Sequence, residues 1–203
     1  VKLKELPDGT PPSPSGFIFS MIREPFTDIR VREALSLAYN FEWVSSSLQY
    51  DLTVQRHSFV QGTEIEANGP PEGLEKAFLE TLGDVVPAEL MTQDAVRAHT
   101  SNPKTVSDRR NQRKALKLLN DAGWNVDAQG KFRNAEGTAL AFKLMLPSSA
   151  SSTGQAIAET YTKTLQKWGI DAEVETVDSA QYTQRYLDKD WDMIISGNQS
   201  FLS

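Results

Sequence analysis

The last third of the chain constrains the fold more than any other part of it. Between residues 140 and 195 the hydrophobic period changes four times, from two to helical and back. Leu140, Phe142, Leu144 and Leu146 alternate as in a strand. A serine-rich loop, Ser148 to Ser152, leads into a helical stripe of Ile157, Tyr161, Leu165 and Trp168, which Gly169 closes. Ile170, Ala172 and Val174 then alternate with Asp171, Glu173 and Glu175 along a second strand. A short helix near 179–188 precedes the apolar run Met193-Ile-Ile195, which reads as a buried strand. Strand, helix, strand, helix, strand predicts an α/β unit with right-handed crossovers, because a twisted sheet accepts few other connections.

Upstream, the same reasoning predicts a strand at Phe17–Ile22 and one helix near 29–48. That helix is capped by Asp28 and carries Val31, Ala34, Leu35, Ala38, Phe41 and Val44 on one face. Residues 50–105 are irregular by pattern, apart from a short helix over Gly73–Leu82. Ser107 or Asp108 caps a helix bearing Ala115, Leu118, Leu119 and Ala122, stopped by Gly123 as a left-handed glycine would stop it. Asn125 to Glu136 reads as a loose hairpin. Four prolines in the first 14 residues predict an extended lead-in over residues 1–15, followed by a single α/β lobe over 16–203.

Composition narrows the function classes. With 21 basic and 27 acidic residues, a net charge of −6 lacks the basic footprint of a nucleic-acid partner. No apolar stretch is long enough to span a bilayer. The absence of cysteine removes a thiolate nucleophile, a disulfide framework and a cysteine-held metal. His57 and His99, the two histidines, sit in no serine or metal motif. The serines at 148–152 lack both the G-x-S-x-G turn and the Gly-Lys of a phosphate loop. Asp188, Asp190 and Asp192 alternate as in a metal loop, without the glycine or distal glutamate of a calcium site. No catalytic residue, metal ligand or cofactor is assigned. Trp124 and Trp168 follow or end helices and read as packing residues.

The candidate ligand-binding residues are Tyr50, Arg56, Ser58 and Phe59 in the irregular region, where loops carry binding function. Asn198 and Gln199 join them, at the carboxyl end of the last strand where open α/β sheets hold ligands. Arg56 suits bidentate, charge-assisted pairing with a carboxylate, or an ion pair within the fold. The aromatic rings suit stacking.

Five segments, taken in order, resemble the family 5 extracellular solute-binding proteins, the oligopeptide and dipeptide receptors of ABC importers. Pro25-Phe-Thr-Asp-Ile-Arg-Val-Arg-Glu-Ala-Leu-Ser-Leu-Ala38 is similar to the hallmark helix of that family. Ala115-Leu-Lys-Leu-Leu-Asn-Asp-Ala-Gly-Trp124, Gly137-Thr-Ala-Leu-Ala-Phe-Lys-Leu144, Leu165-Gln-Lys-Trp-Gly-Ile170 and Trp191-Asp-Met193 follow in the family's order. Leu48-Gln-Tyr50 with Arg56-His-Ser-Phe59 resembles the subgroup that takes microcin C-type peptides. The spacing between Arg56 and Ser58 is one residue shorter here and the second Phe is missing. Gly197-Asn-Gln-Ser-Phe-Leu-Ser203 resembles the subgroup's Gly-Gln-Ser-Leu-Ser stretch with two extra residues.

The resemblance implies a lobe of the type II periplasmic binding protein kind, a mixed sheet flanked by helices. It also implies a peptide ligand, a first lobe of the same receptor as partner, a membrane permease beyond it, and a periplasmic or extracellular location at the cell envelope. The chain then reads as an excised carboxyl-side lobe. Two other readings stay open: a stand-alone interaction module, and a hydrolase or transferase whose partner residues lie elsewhere.

Overall fold

A computed structural model describes residues 14–58 and 60–197. In chain order the elements are β1 (Ser15–Phe19), α1 (Ile29–Ser36), α2 (Phe41–Leu48), α3 (Gly73–Thr81), α4 (Arg109–Asp121), β2 (Asn125–Val126), β3 (Phe132–Arg133), β4 (Ala141–Pro147), α5 (Ser152–Lys167), β5 (Asp171–Val177), α6 (Ser179–Leu187) and β6 (Met193–Gly197). Two short 3-10 turns, Gly83–Val85 and Ala88–Met91, follow α3. The contacts divide into a larger unit, Ser15–Val54 with His99–Ser196, and a smaller one centred on Gln55–Ala98.

The larger unit holds a four-stranded sheet in the order β1-β6-β4-β5. β4 runs parallel to β5, from Ala141 opposite Asp171 to Pro147 opposite Val177. It also runs parallel to β6, with Leu144 opposite Met193. One face of β4 (Phe142, Leu144, Leu146) joins Leu140, Ile170, Ala172 and Met193 in the main core. α5 covers this face with Ala158, Tyr161 and Leu165, and α1 packs on α4 through Val31, Ala34, Leu35, Ala115 and Leu119. The other face carries a small second core of Met145, Val177 and Ile194, beneath Tyr182 of α6 and Trp191. The Tyr161 ring stacks on Phe17 at 4.4 Å, and its hydroxyl donates to the Leu35 carbonyl at 3.1 Å. Burial pushes the Tyr161 phenol up, and that of Tyr39 up to about 12, because the phenolate loses its water.

Local signals account for most of the boundaries. Asp28, Asp108, Ser151 and Asp178 each accept a backbone N–H at the start of a helix. Gly123 and Gly169 follow α4 and α5 at φ of 90° and 96°, where a side chain is disfavoured. Gly169 is pinned a second way. Its carbonyl accepts the Phe132 N–H at 2.9 Å, and a Cβ there would collide with the Gly130 carbonyl oxygen of the β2–β3 turn.

Two expected boundaries shift. The single helix over 29–48 is two helices, because Asn40 has better partners outside a helix than in one. Its side chain accepts the Trp43 N–H at 2.9 Å and donates to the carbonyls of Asn102 and Thr105 at 2.7 and 2.8 Å. The strand expected to reach Ile22 stops at Phe19. There the chain turns so that Arg23 meets Asp190 and Asp192 and Phe26 enters the core, which leaves Met21 and Ile22 in solvent.

The smaller unit contains α3 and the two 3-10 turns, none of which has a buried residue. Polar bonds tie its loop together instead. Glu66 accepts from the Gly62 N–H at 2.7 Å, meets His57 Nε2 at 2.8 Å and pairs with Arg97, which also reaches Asn68. Among the described residues, no helix is long and apolar enough to cross a membrane.

Candidate functional site

Parallel pairing brings the carboxyl ends of β4, β5 and β6 to one edge of the sheet, at Pro147, Val177 and Gly197. This is the edge at which open α/β sheets hold ligands. The serine-rich loop turns over it: the Ser148 N–H donates to the Val177 carbonyl at 2.7 Å, and Ser179 Oγ lies 3.4 Å from Ser149 Oγ. The helices leaving this edge begin with Ser151, which accepts the Gly154 N–H, and Asp178, which accepts from Ala180 and Gln181. The serines therefore close turns and cap a helix. Ser148 to Ser152 includes no histidine within two residues, and both histidines are occupied elsewhere: His57 on Glu66, and His99 through Nε2 on the Tyr39 carbonyl at 2.9 Å.

Of the residues expected to bind ligand, Tyr50 lies in the turn after α2, 84% exposed with φ of 55°, and Asp51 beside it shares the left-handed backbone. The Tyr50 ring is thus held out in water, on backbone that L-residues adopt reluctantly. Arg56 and Ser58 belong to the smaller unit and are half-buried in one loop. The Ser58 hydroxyl accepts the Val60 N–H at 3.2 Å. Phe59, Asn198 and Gln199 lie outside the described residues.

Sequence pattern missed the groups that shape the Arg56–Ser58 loop. Glu66 is one. Its carboxyl is held below the ordinary glutamate range, first by the Gly62 N–H and then by His57 and Arg97. Those partners are 4, 9 and 31 residues from Glu66 in the chain, so no local motif announces them.

Two of the alternating aspartates, Asp190 and Asp192, serve ion pairs, and Asp188 accepts the Gln184 side-chain amide at 2.8 Å. Asp190 bridges Arg23 and Arg185, and Asp192 meets Arg23 at 3.3 Å while accepting the Lys143 N–H. Arg23 above all holds the Asp190 carboxyl low, and Arg185 does the same for Glu175. Among the described residues no group of three potential ligands is placed to hold a metal ion.

Comparison with known proteins follows the same elements. The sequence pattern of the bacterial extracellular solute-binding proteins, family 5, middle region, matches residues 2–202. The uncharacterized protein YejA of Escherichia coli K12 is 36% identical over 176 residues, covering 87% of this chain and 28% of its own length. The probable peptide-binding protein YejA of Agrobacterium fabrum is 32% identical, covering 88% of this chain and 28% of its own length. The chain thus spans less than a third of the curated relatives it matches.

Among solved structures, the oligopeptide-binding protein AppA of Bacillus subtilis, in complex with a nonapeptide, superposes with a TM-score of 0.60. It has 18% identity, and the match covers 94% of this chain and 32% of AppA. NikZ of Campylobacter jejuni, in complex with Ni(L-His), gives a TM-score of 0.64 at 17% identity, with 94% of this chain and 30% of NikZ covered. At these identities the likeness is one of fold: an α/β lobe with a mixed sheet, of the type II periplasmic binding protein kind.

Proposed function

The chain belongs to the bacterial extracellular solute-binding proteins of family 5, and from that premise we propose that it is the peptide-binding lobe of a receptor that captures oligopeptides for an ABC importer, without catalysis. The observation that carries this reading is the family pattern over residues 2–202, laid on parallel strands whose carboxyl ends share one edge. The names of relatives support it: one is a probable peptide-binding protein, and the fold neighbour AppA is solved with a nonapeptide. In this proposal a first lobe of the same receptor closes over the peptide, a membrane permease receives the loaded receptor, and the protein works in the periplasm or outside the cell.

Tyr50, Arg56 and Ser58 are the proposed contacts from this lobe, together with Phe59, Asn198 and Gln199. Arg56 answers a ligand carboxylate with two parallel N–H bonds, and the rings of Tyr50 and Phe59 stack on side chains. A clamshell binds by excluding water from both sides, so the 203-residue chain alone is expected to bind peptides weakly or not at all. Calorimetry with a random oligopeptide pool tests this on the chain and on the receptor that contains it. The receptor should bind, and Arg56→Ala should weaken that binding about tenfold, as loss of a charge-assisted pair does. A receptor that takes up no peptide overturns the assignment. Micromolar binding by the chain alone overturns the two-lobed arrangement.

A further inference from the structure

Among the described residues of the stretch 55–98, none is buried. Bonds to one carboxylate stand in for an apolar core. The Glu66 side chain is only 11% exposed, so water competes little for its two oxygens. Oε2 accepts the Gly62 N–H at 2.7 Å, while Oε1 meets His57 Nε2 at 2.8 Å and Arg97 Nη1 at 3.4 Å. An ionised carboxylate only accepts, so His57 Nε2 carries the proton in this contact. Arg97 is set in turn by the Asn68 side chain at 3.1 Å and the Ala67 carbonyl at 3.4 Å. Chain from residue 57 to residue 97 is thus gathered on a single side chain.

We propose, on the reading that Arg56 and Ser58 meet the peptide, that Glu66 is the positioning residue of their loop and sets the receptor's affinity through His57. His57 sits between those two residues and is gripped twice. Its ring lies on Glu66, and its backbone N–H donates to Gln61 Oε1 at 3.0 Å. The same turn fixes Ser58, whose hydroxyl accepts the Val60 N–H at 3.2 Å and whose carbonyl accepts the Gln61 N–H at 3.4 Å. Rigid peptide planes join successive Cα atoms, so holding both ring and backbone of His57 confines its two neighbours as well.

A loop ordered before the peptide arrives does not have to be ordered at binding. A loosened loop is competent for only part of the time, and the apparent affinity falls by that fraction. Glutamine at position 66 keeps the size of the side chain but replaces one acceptor oxygen with a donor. Either the Gly62 N–H or the His57 and Arg97 donors then lose their acceptor.

The test is stopped-flow binding, by the whole receptor, of a dye-labelled peptide that it retains from a random pool. Glu66→Gln should weaken binding about three- to tenfold, chiefly by slowing association, because the contacts are unchanged once peptide has ordered the loop. Arg56→Ala removes a contact and should act chiefly on dissociation. In the Arg56→Ala background, Glu66→Gln should lose much of its effect, since it acts through the same loop. His57→Gln places an amide N–H where Nε2 stands and should bind within about twofold of the original, whereas His57→Ala should behave like Glu66→Gln. Circular dichroism verifies that each variant is folded. A Glu66→Gln receptor that binds as the original does overturns the proposal. So does a loss carried by dissociation alone, or one fully additive with Arg56→Ala. If Glu66→Gln does not fold, the His57 pair decides, and equal losses in both variants overturn the proposal. A receptor that retains no peptide overturns the reading of Arg56 and Ser58, and the proposal with it.

Discussion

Gly169 carries two constraints that separate cleanly by mutation. Its φ of 96° lies where a Cβ is disfavoured, at a cost of about 1–2 kcal/mol for an L-residue. It also lies beneath the β2–β3 turn. A Cβ would overlap the Gly130 carbonyl oxygen and come within 3.4 Å of the Gly130 carbonyl carbon, and these backbone atoms cannot rotate away. Moving the turn strains the Phe132 N–H bond to the Gly169 carbonyl, and Phe132 is 1% exposed in the core. Overpacking of this kind adds about 1–3 kcal/mol. Gly169→Ala should therefore destabilise by about 2–5 kcal/mol, the sum of the two.

Gly123 supplies the control, since its φ is 90° and nothing lies within 4 Å of a Cβ built there. Gly123→Ala should cost only the backbone part, about 1–2 kcal/mol. Urea unfolding followed by far-ultraviolet circular dichroism measures both, and a loss near 3 kcal/mol lowers the midpoint by about 1–2 M. Asparagine sharpens the comparison, because it tolerates left-handed backbone but still has a Cβ. It should rescue much of the loss at Gly123 and little at Gly169. If the two alanine variants agree within about 0.5 kcal/mol, the close approach is not what holds this position as glycine.

Asn40→Ala removes a helix cap and two tethers to the 102–105 segment, and should cost about 2–3 kcal/mol in the same assay. Tyr161→Phe should cost about 1 kcal/mol, because the Leu35 carbonyl keeps the Ala38 N–H as a second donor. The Glu66 carboxyl is lowered in the folded chain, so the stability it lends is complete above the ordinary glutamate pKa and is lost as pH falls through the lowered value. Proteolysis within Gln55–Ala98 should thus accelerate in acid. Glu66→Gln should make the segment labile at neutral pH and remove its share of that acid response; an unchanged pH profile in the variant would show that other groups hold the loop.

The sequence by itself determined the elements whose signals are local. Hydrophobic period, capping residues and stop glycines placed α4 and α6 to within a residue or two and located α5 and β5 along the right stretches, because each signal acts within a turn or two of chain. The ordered motifs from Pro25 to Met193 likewise identified the family. Tertiary structure decided whatever depends on partners far away in sequence. Asn40 splits a helix that periodicity predicted whole, because carbonyls 62 and 65 residues on bind its amide. Met21 and Ile22, apolar enough to read as strand, stand in water because Arg23 is drawn to aspartates 167 and 169 residues away. Arg56 and Ser58 were legible as residue types suited to a ligand. The network on Glu66 that shapes their loop was not, since a local pattern cannot encode which distant donor will meet a carboxylate.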